Sequence, residues 1–82
     1  LYLDVNGRRH QTGNTNLMIF SFNFLISHLS NYITLMPGDI ITTGTPPGVG
    51  LGMNPPKFLK NGDEMVLKVD NLGQQITKVI EE

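Results

Sequence analysis

Between Gly44 and Pro56, eight of thirteen residues are glycine or proline: Gly44, Pro46, Pro47, Gly48, Gly50, Gly52, Pro55 and Pro56. Proline fixes its own φ and lacks an N–H donor, and glycine opens dihedrals closed to other residues. A regular helix or a central strand cannot run through such a stretch, so it is expected to be an irregular loop. In a chain of 82 residues, only short elements fit on either side of it.

Those elements read as mainly β with one short helix. Asn6-Gly7 stands between the extended runs Tyr2–Val5 and Arg8–Gln11. An Asn-Gly pair between two such runs is the strongest short hairpin signal, because both turn positions need positive φ. Residues 12–16 follow as a polar loop. Ser21 to Tyr32 is the predicted helix, with Phe22, Leu25, Ile26, Leu29 and Ile33 on one face. The Ser21 hydroxyl is placed to cap the first turn, and Pro37-Gly38 prevents continuation. Residues 40–43 (Ile-Ile-Thr-Thr) form a β-prone run. Met65–Val69 and Gln75–Ile80 alternate as strands do, and Asp70-Asn71-Leu72-Gly73 supplies a turn for a second hairpin. Leu35-Met36-Pro37-Gly38-Asp39 and Leu59-Lys60-Asn61-Gly62-Asp63 echo one another, which points to two similar tight turns.

The loop carries the chemistry. Its glycines permit close approach of a ligand, its prolines stiffen it, and Thr43, Thr45 and free N–H groups offer hydrogen bonds to a carboxylate or carbonyl. Composition alone leaves it open between a structural turn and a binding element. A phosphate-binding P-loop would need Gly-Lys-Ser/Thr, but Leu51 follows Gly50. A dinucleotide fingerprint would need a helix to open where Asn54-Pro55-Pro56 stands. His10 and His28 are the only histidines, and neither has an acidic partner in view. His28 sits at the edge of the helix's apolar stripe. Asp39 and Asp63 follow glycine in turns, where bonding to nearby backbone is the usual role. No acid pair has ligand spacing, so no catalytic residue and no metal ligand is assigned in this chain. The four methionines are read as gap fillers.

Six Lys and Arg against seven Asp and Glu give a net charge of −1, which provides no basic patch for nucleic acid. No apolar run approaches the ~18 residues that a membrane-spanning helix needs. Charged residues make up 16% of the chain, below the roughly 25% usual for soluble domains, so part of its surface is expected to be covered by other protein. A chain this short buries only about 60–65% of its unfolded surface. With no cysteine, no disulfide can compensate, and the composition fits a reducing, cytoplasmic setting. The chain opens inside a strand-like run without methionine, and is read as a piece of a longer protein.

Three stretches resemble the fumarylacetoacetate hydrolase family. Residues 5–11 (Val-Asn-Gly-Arg-Arg-His-Gln) and Gly13-Asn14-Thr15 resemble its "vNGe..Q.gnT" segment. Residues 35–50, from Leu35-Met36-Pro37-Gly38-Asp39 to Gly48-Val49-Gly50, look like its "L.PGDvi.TGTP.GVG" signature, and residues 55–63 are similar to its "P..yLk.GD" turn. The Pro-Pro spacing looks most like the branch of the domain-containing protein 2 group. The resemblance implies that residues 1–82 are the C-terminal portion of one catalytic domain, a mixed β-sandwich or β-roll. It implies a divalent cation, Mg or Mn, with ligands and acid/base residues upstream of this chain. It also implies a homodimer acting on a 2-oxo acid or acylpyruvate-type substrate by C–C bond hydrolysis, decarboxylation or isomerisation. Thr45, second threonine of the "TGT" signature, is then the substrate contact, with Gly44 shaping it. A non-catalytic β-rich interaction module, or a family member that has lost activity, is the alternative.

Overall fold

A computed structural model describes all 82 residues, in two compact units: Leu1–Gly13 with Thr45–Glu82, and Asn14–Gly44. The first unit is a four-stranded sheet. Its strands are β1 (Tyr2–Val5), β2 (Arg8–Thr12), β3 (Glu64–Val69) and β4 (Gly73–Lys78), in the order β2-β1-β3-β4. Every pairing is antiparallel.

The hairpin at Asn6-Gly7 forms as its residues dictate. Asn6 has φ 51° and Gly7 φ 78°, and Val5 pairs directly with Arg8. The β1–β2 register shifts between Leu3 and Asp4: Leu3 faces Gln11 and Asp4 faces Arg9. His10 is the extra residue of this bulge, a device that bends a strand and redirects its groups. Asp4 is ion-paired with Arg9 across the strands, and the Arg9 guanidinium lies 3.8 Å from the centre of the Tyr2 ring.

In the β1–β3 pairing the Asn6 side chain extends the ladder past Val5. The Asn6 N–H donates to Glu64 O at 2.9 Å, and the Glu64 N–H donates to Asn6 Oδ1 at 3.0 Å. The second hairpin turns over residues 70–72. The Leu72 N–H reaches Val69 O at 3.0 Å, and Asn71 and Gly73 take positive φ, 65° and 93°. β4 therefore begins at Gly73 and ends at Lys78, two residues ahead of the predicted span at each end.

The second unit holds a 3-10 turn (Thr15–Leu17) and helix α1 (Phe22–Ser30). As predicted, Ser21 caps the helix, with its Oγ accepting from the Phe24 N–H at 3.1 Å. Leu25 and Leu29 are half-buried, while Phe22, Ile26 and Ile33 are exposed. A second stripe runs at i+4 steps through Phe20, Phe24, His28 and Tyr32, with ring centres 4.9, 6.1 and 5.3 Å apart. His28 thus stands in an aromatic stack. α1 is not long and apolar enough to cross a membrane.

The echoed turns are geometrically alike. The Asp39 N–H donates to Met36 O at 3.0 Å and the Met36 N–H donates to Asp39 Oδ2 at 2.8 Å; Asp63 does the same with Lys60 at 3.1 and 2.8 Å. Gly38 and Gly62 occupy the third turn position with φ 94° and 90°, which type II turns require.

Two expectations are corrected. Residues 40–43 form no strand. A strand needs a partner to satisfy its N–H and C=O groups, and none lies beside this run; Ile40 is 89% exposed. Met36 fills no gap, being exposed. Burial throughout the chain is slight: Val5 is the only buried apolar side chain.

Candidate functional site

Three residues of β2 and its end hold the loop that begins at Thr45. Gln11 Nε2 donates to Pro46 O at 2.7 Å and to Thr45 Oγ1 at 2.8 Å. Gly13 lies under Pro46: a Cβ there would be 3.2 Å from Pro46 Cβ. Gly48, at φ 114°, lies against the His10 carbonyl, where a Cβ would sit 1.9 Å from the oxygen. His10 is the bulge residue, so the irregularity in β2 is the place where the loop backbone closes on the sheet.

The loop then folds back on itself through a 3-10 turn, Gly50–Gly52. The Lys57 N–H donates to Gly50 O at 2.9 Å. A Cβ on Gly50 would stand 1.8 Å from Lys57 O. The close approaches made by Gly48 and Gly50 are therefore to the protein's own backbone. Gly48 thus holds the loop, as the family resemblance implies for Pro46, Pro47 and Gly48, and Gly50 does the same rather than admit a ligand. Gly44 differs: it has φ 97° and nothing within 4 Å of an added Cβ. Gly44 closes the second unit and Thr45 opens the return of the first.

Thr45 is exposed and Pro46 half-buried. The Thr45 hydroxyl is thus accessible on a backbone pinned at Gln11, His10 and Lys57, which provides a fixed polar group facing outward. Gln11 was missed as a site residue in the sequence, because its partners lie 34 and 35 positions away and no local pattern joins them.

No three His, Cys, Asp or Glu side chains converge to hold a cation. Three of the acids have other work: Asp4 pairs with Arg9, and Asp39 and Asp63 close the two turns. The Asp63 carboxyl is held below its usual range, first by the Lys60 N–H and then by the Asn6 side chain, with Lys57 and Lys60 adding positive charge. Asp63 also borders a cleft of about 310 Å³ beside β1 and β2, lined among others by Arg8, His10, Lys57, Phe58 and Lys60. Thr45 is not part of it. No local pattern marks this cleft, because Arg8 lies some fifty positions from Lys57 and Lys60.

The loop-on-sheet arrangement recurs in known proteins. The sequence profile described as the C-terminal part of fumarylacetoacetate hydrolase matches residues 1–80. A Burkholderia ambifaria protein with the provisional name of hydrolase is 53% identical over 77 residues, 93% of this chain and 27% of its own length. The crystal structure of a probable 2-hydroxyhepta-2,4-diene-1,7-dioate isomerase from Mycobacterium abscessus is 37% identical and superposes with a TM-score of 0.91 over 99% of this chain and 31% of that one. Fumarylacetoacetate hydrolase from Exiguobacterium antarcticum gives 37% and 0.92 over 99% and 29%. The chain therefore spans under a third of the length of these relatives. With a matching profile over nearly every residue and a matching sheet, helix and loop, this chain belongs to the fumarylacetoacetate hydrolase family.

Proposed function

We propose that this chain is the C-terminal part of a catalytic domain that acts on 2-oxo acids or acylpyruvate-type substrates, and that it supplies one wall of the substrate pocket. The family includes a hydrolase and an isomerase among its structural relatives. The observation that carries the proposal is the Thr45 hydroxyl, exposed on a loop whose backbone is fixed by the sheet beneath it. Such a group can donate a hydrogen bond to a carboxylate or oxo oxygen without reorganising when the substrate arrives.

A divalent cation, Mg or Mn, belongs to the proposal, but this chain's side chains do not form a site for it. Its ligands would come from residues that precede this segment in the larger enzyme. This chain's contribution is to bind and orient the substrate's polar end.

The test is Thr45→Val in the full-length enzyme, which keeps the shape and removes the hydroxyl. Loss of a hydrogen bond to a charged group costs roughly 1.5–3 kcal/mol, a fall of about 10- to 150-fold in kcat/KM. Thr42→Val is the control and should leave the rate alone. The assays are C–C hydrolysis of an acylpyruvate, decarboxylation of oxaloacetate and isomerisation of a 2-hydroxy-dienoate. Unchanged kinetics in the Thr45 variant would remove this residue from the site. Absence of turnover with all three in the wild type would contradict the substrate class.

A further inference from the structure

We infer that Gln11 fixes the direction of the Thr45 hydroxyl, so that its hydrogen points outward and the site favours an oxygen acceptor, a carboxylate or carbonyl, over a donor. This rests on Thr45 as a substrate-binding residue and adds what orients it.

The amide orientation of Gln11 is not ambiguous here. Pro46 O is a carbonyl and can only accept, and it lies 2.7 Å from the Gln11 amide nitrogen. The reverse orientation would set two carbonyl oxygens against each other, so the nitrogen must face the loop. That same nitrogen is 2.8 Å from Thr45 Oγ1. A nitrogen whose two hydrogens are engaged this way makes Oγ1 the acceptor. The single hydroxyl hydrogen of Thr45 then points away from Gln11, to whatever approaches the exposed side of the loop.

Gln11 is itself held in place. It pairs with Leu3 across the β1–β2 ladder, immediately before the bulge, and it is half-buried. A free threonine hydroxyl serves donors and acceptors equally. One with a lone pair already engaged by Gln11 and its hydrogen turned outward favours acceptors, because a ligand donor is left only the second lone pair and meets the outward hydrogen. Gln11 is thus a positioning residue that acts through Thr45 without touching substrate.

The experiment is calorimetric titration of oxalate, whose oxygens only accept, into the Mg-loaded full-length enzyme. Four variants are compared with the wild type: Thr45→Val, Gln11→Glu, Gln11→Met and Gln11→Glu/Thr45→Val. A carboxylate at position 11 draws the hydroxyl hydrogen toward itself, so Gln11→Glu should weaken oxalate binding by about 10-fold or more. Gln11→Met removes the donor and leaves the hydroxyl free to turn, so it should cost less, on the order of a few-fold. The double variant should bind no more weakly than Thr45→Val alone, since Gln11 reaches the ligand through that hydroxyl and its bond to Pro46 O holds the loop that carries it. Circular dichroism identifies a variant that has failed to fold, in which case the Met variant and its own double with Thr45→Val carry the comparison. Losses that multiply in the double variant, or a Gln11→Glu enzyme that binds like wild type while Thr45→Val is impaired, would overturn this inference alone. Unimpaired binding in Thr45→Val would overturn the assignment of Thr45 as well.

Discussion

Adding one methyl at Gly48 should detach the loop from the sheet. The Cβ of an alanine there would lie 1.9 Å from His10 O and 3.0 Å from His10 C, both backbone atoms. Ordinary contact needs more than a further ångström, and no rotamer change can provide it. The backbone must also hold φ 114°, outside the range that L residues adopt easily. The strain alone is worth roughly 1–3 kcal/mol. If the loop lifts to relieve the clash, the Gln11 bond to Pro46 O goes too, at about 0.5–1.5 kcal/mol. Gly48→Ala should therefore destabilise the folded loop by roughly 2–4 kcal/mol. Gly44→Ala separates the terms: it carries φ 97° with open space around it, so only strain remains. Gly52→Ala meets nothing nearer than Val49 Cγ2 at 3.7 Å and should stay within about 0.5 kcal/mol of wild type. Urea unfolding of the full-length enzyme gives the three values. Hydrogen exchange at the loop amides that pair within residues 49–57 shows whether the loop itself has opened. If Gly48→Ala and Gly52→Ala behave alike in both measurements, the loop is not seated on β2 through Gly48.

Two further outcomes are expected. The Asp63 carboxyl is held below the usual 3.8 by the Lys60 N–H and by Asn6, so its contribution is complete above 3.8 and is lost as the pH falls below that value; the stability difference between the wild type and Asp63→Asn should be constant near neutrality and close under acid, and a difference that closed above 3.8 would contradict the bonding seen at Lys60 and Asn6. The 82-residue chain expressed alone should show weak amide protection and no cooperative melting, because Val5 is its one buried apolar side chain while Ile19, Tyr32, Leu51, Leu72 and Ile80 are among many left exposed; a sharp thermal transition with strong protection would contradict this.

What the sequence disclosed about the fold is what short-range chemistry decides. Asn6-Gly7, Ser21 and the two Gly-Asp turns each act within four residues, and each is found where its residues place it. Residues 40–43 have strand chemistry without a strand, because a strand is a property of two segments and the second is missing beside them. The loop falls between these cases. Its glycines and prolines declared an irregular backbone, and they could not say which glycines serve the protein and which residue is left for a ligand. That division depends on His10 against Gly48, Lys57 against Gly50 and Gln11 against Thr45, of which two join positions more than thirty apart.

Those contacts also explain why a turn and a binding element look alike in composition here: the loop is both. Gly48 and Gly50 are consumed in seating the backbone, and Pro46 in receiving Gln11. Thr45 remains exposed, with its oxygen engaged from below. Rigidity and accessibility are usually in tension for a surface loop, since the bonds that stiffen it also consume its polar groups. Here the stiffening bonds run to backbone carbonyls and to one lone pair of the hydroxyl, and the proton that a substrate would use is the part left over.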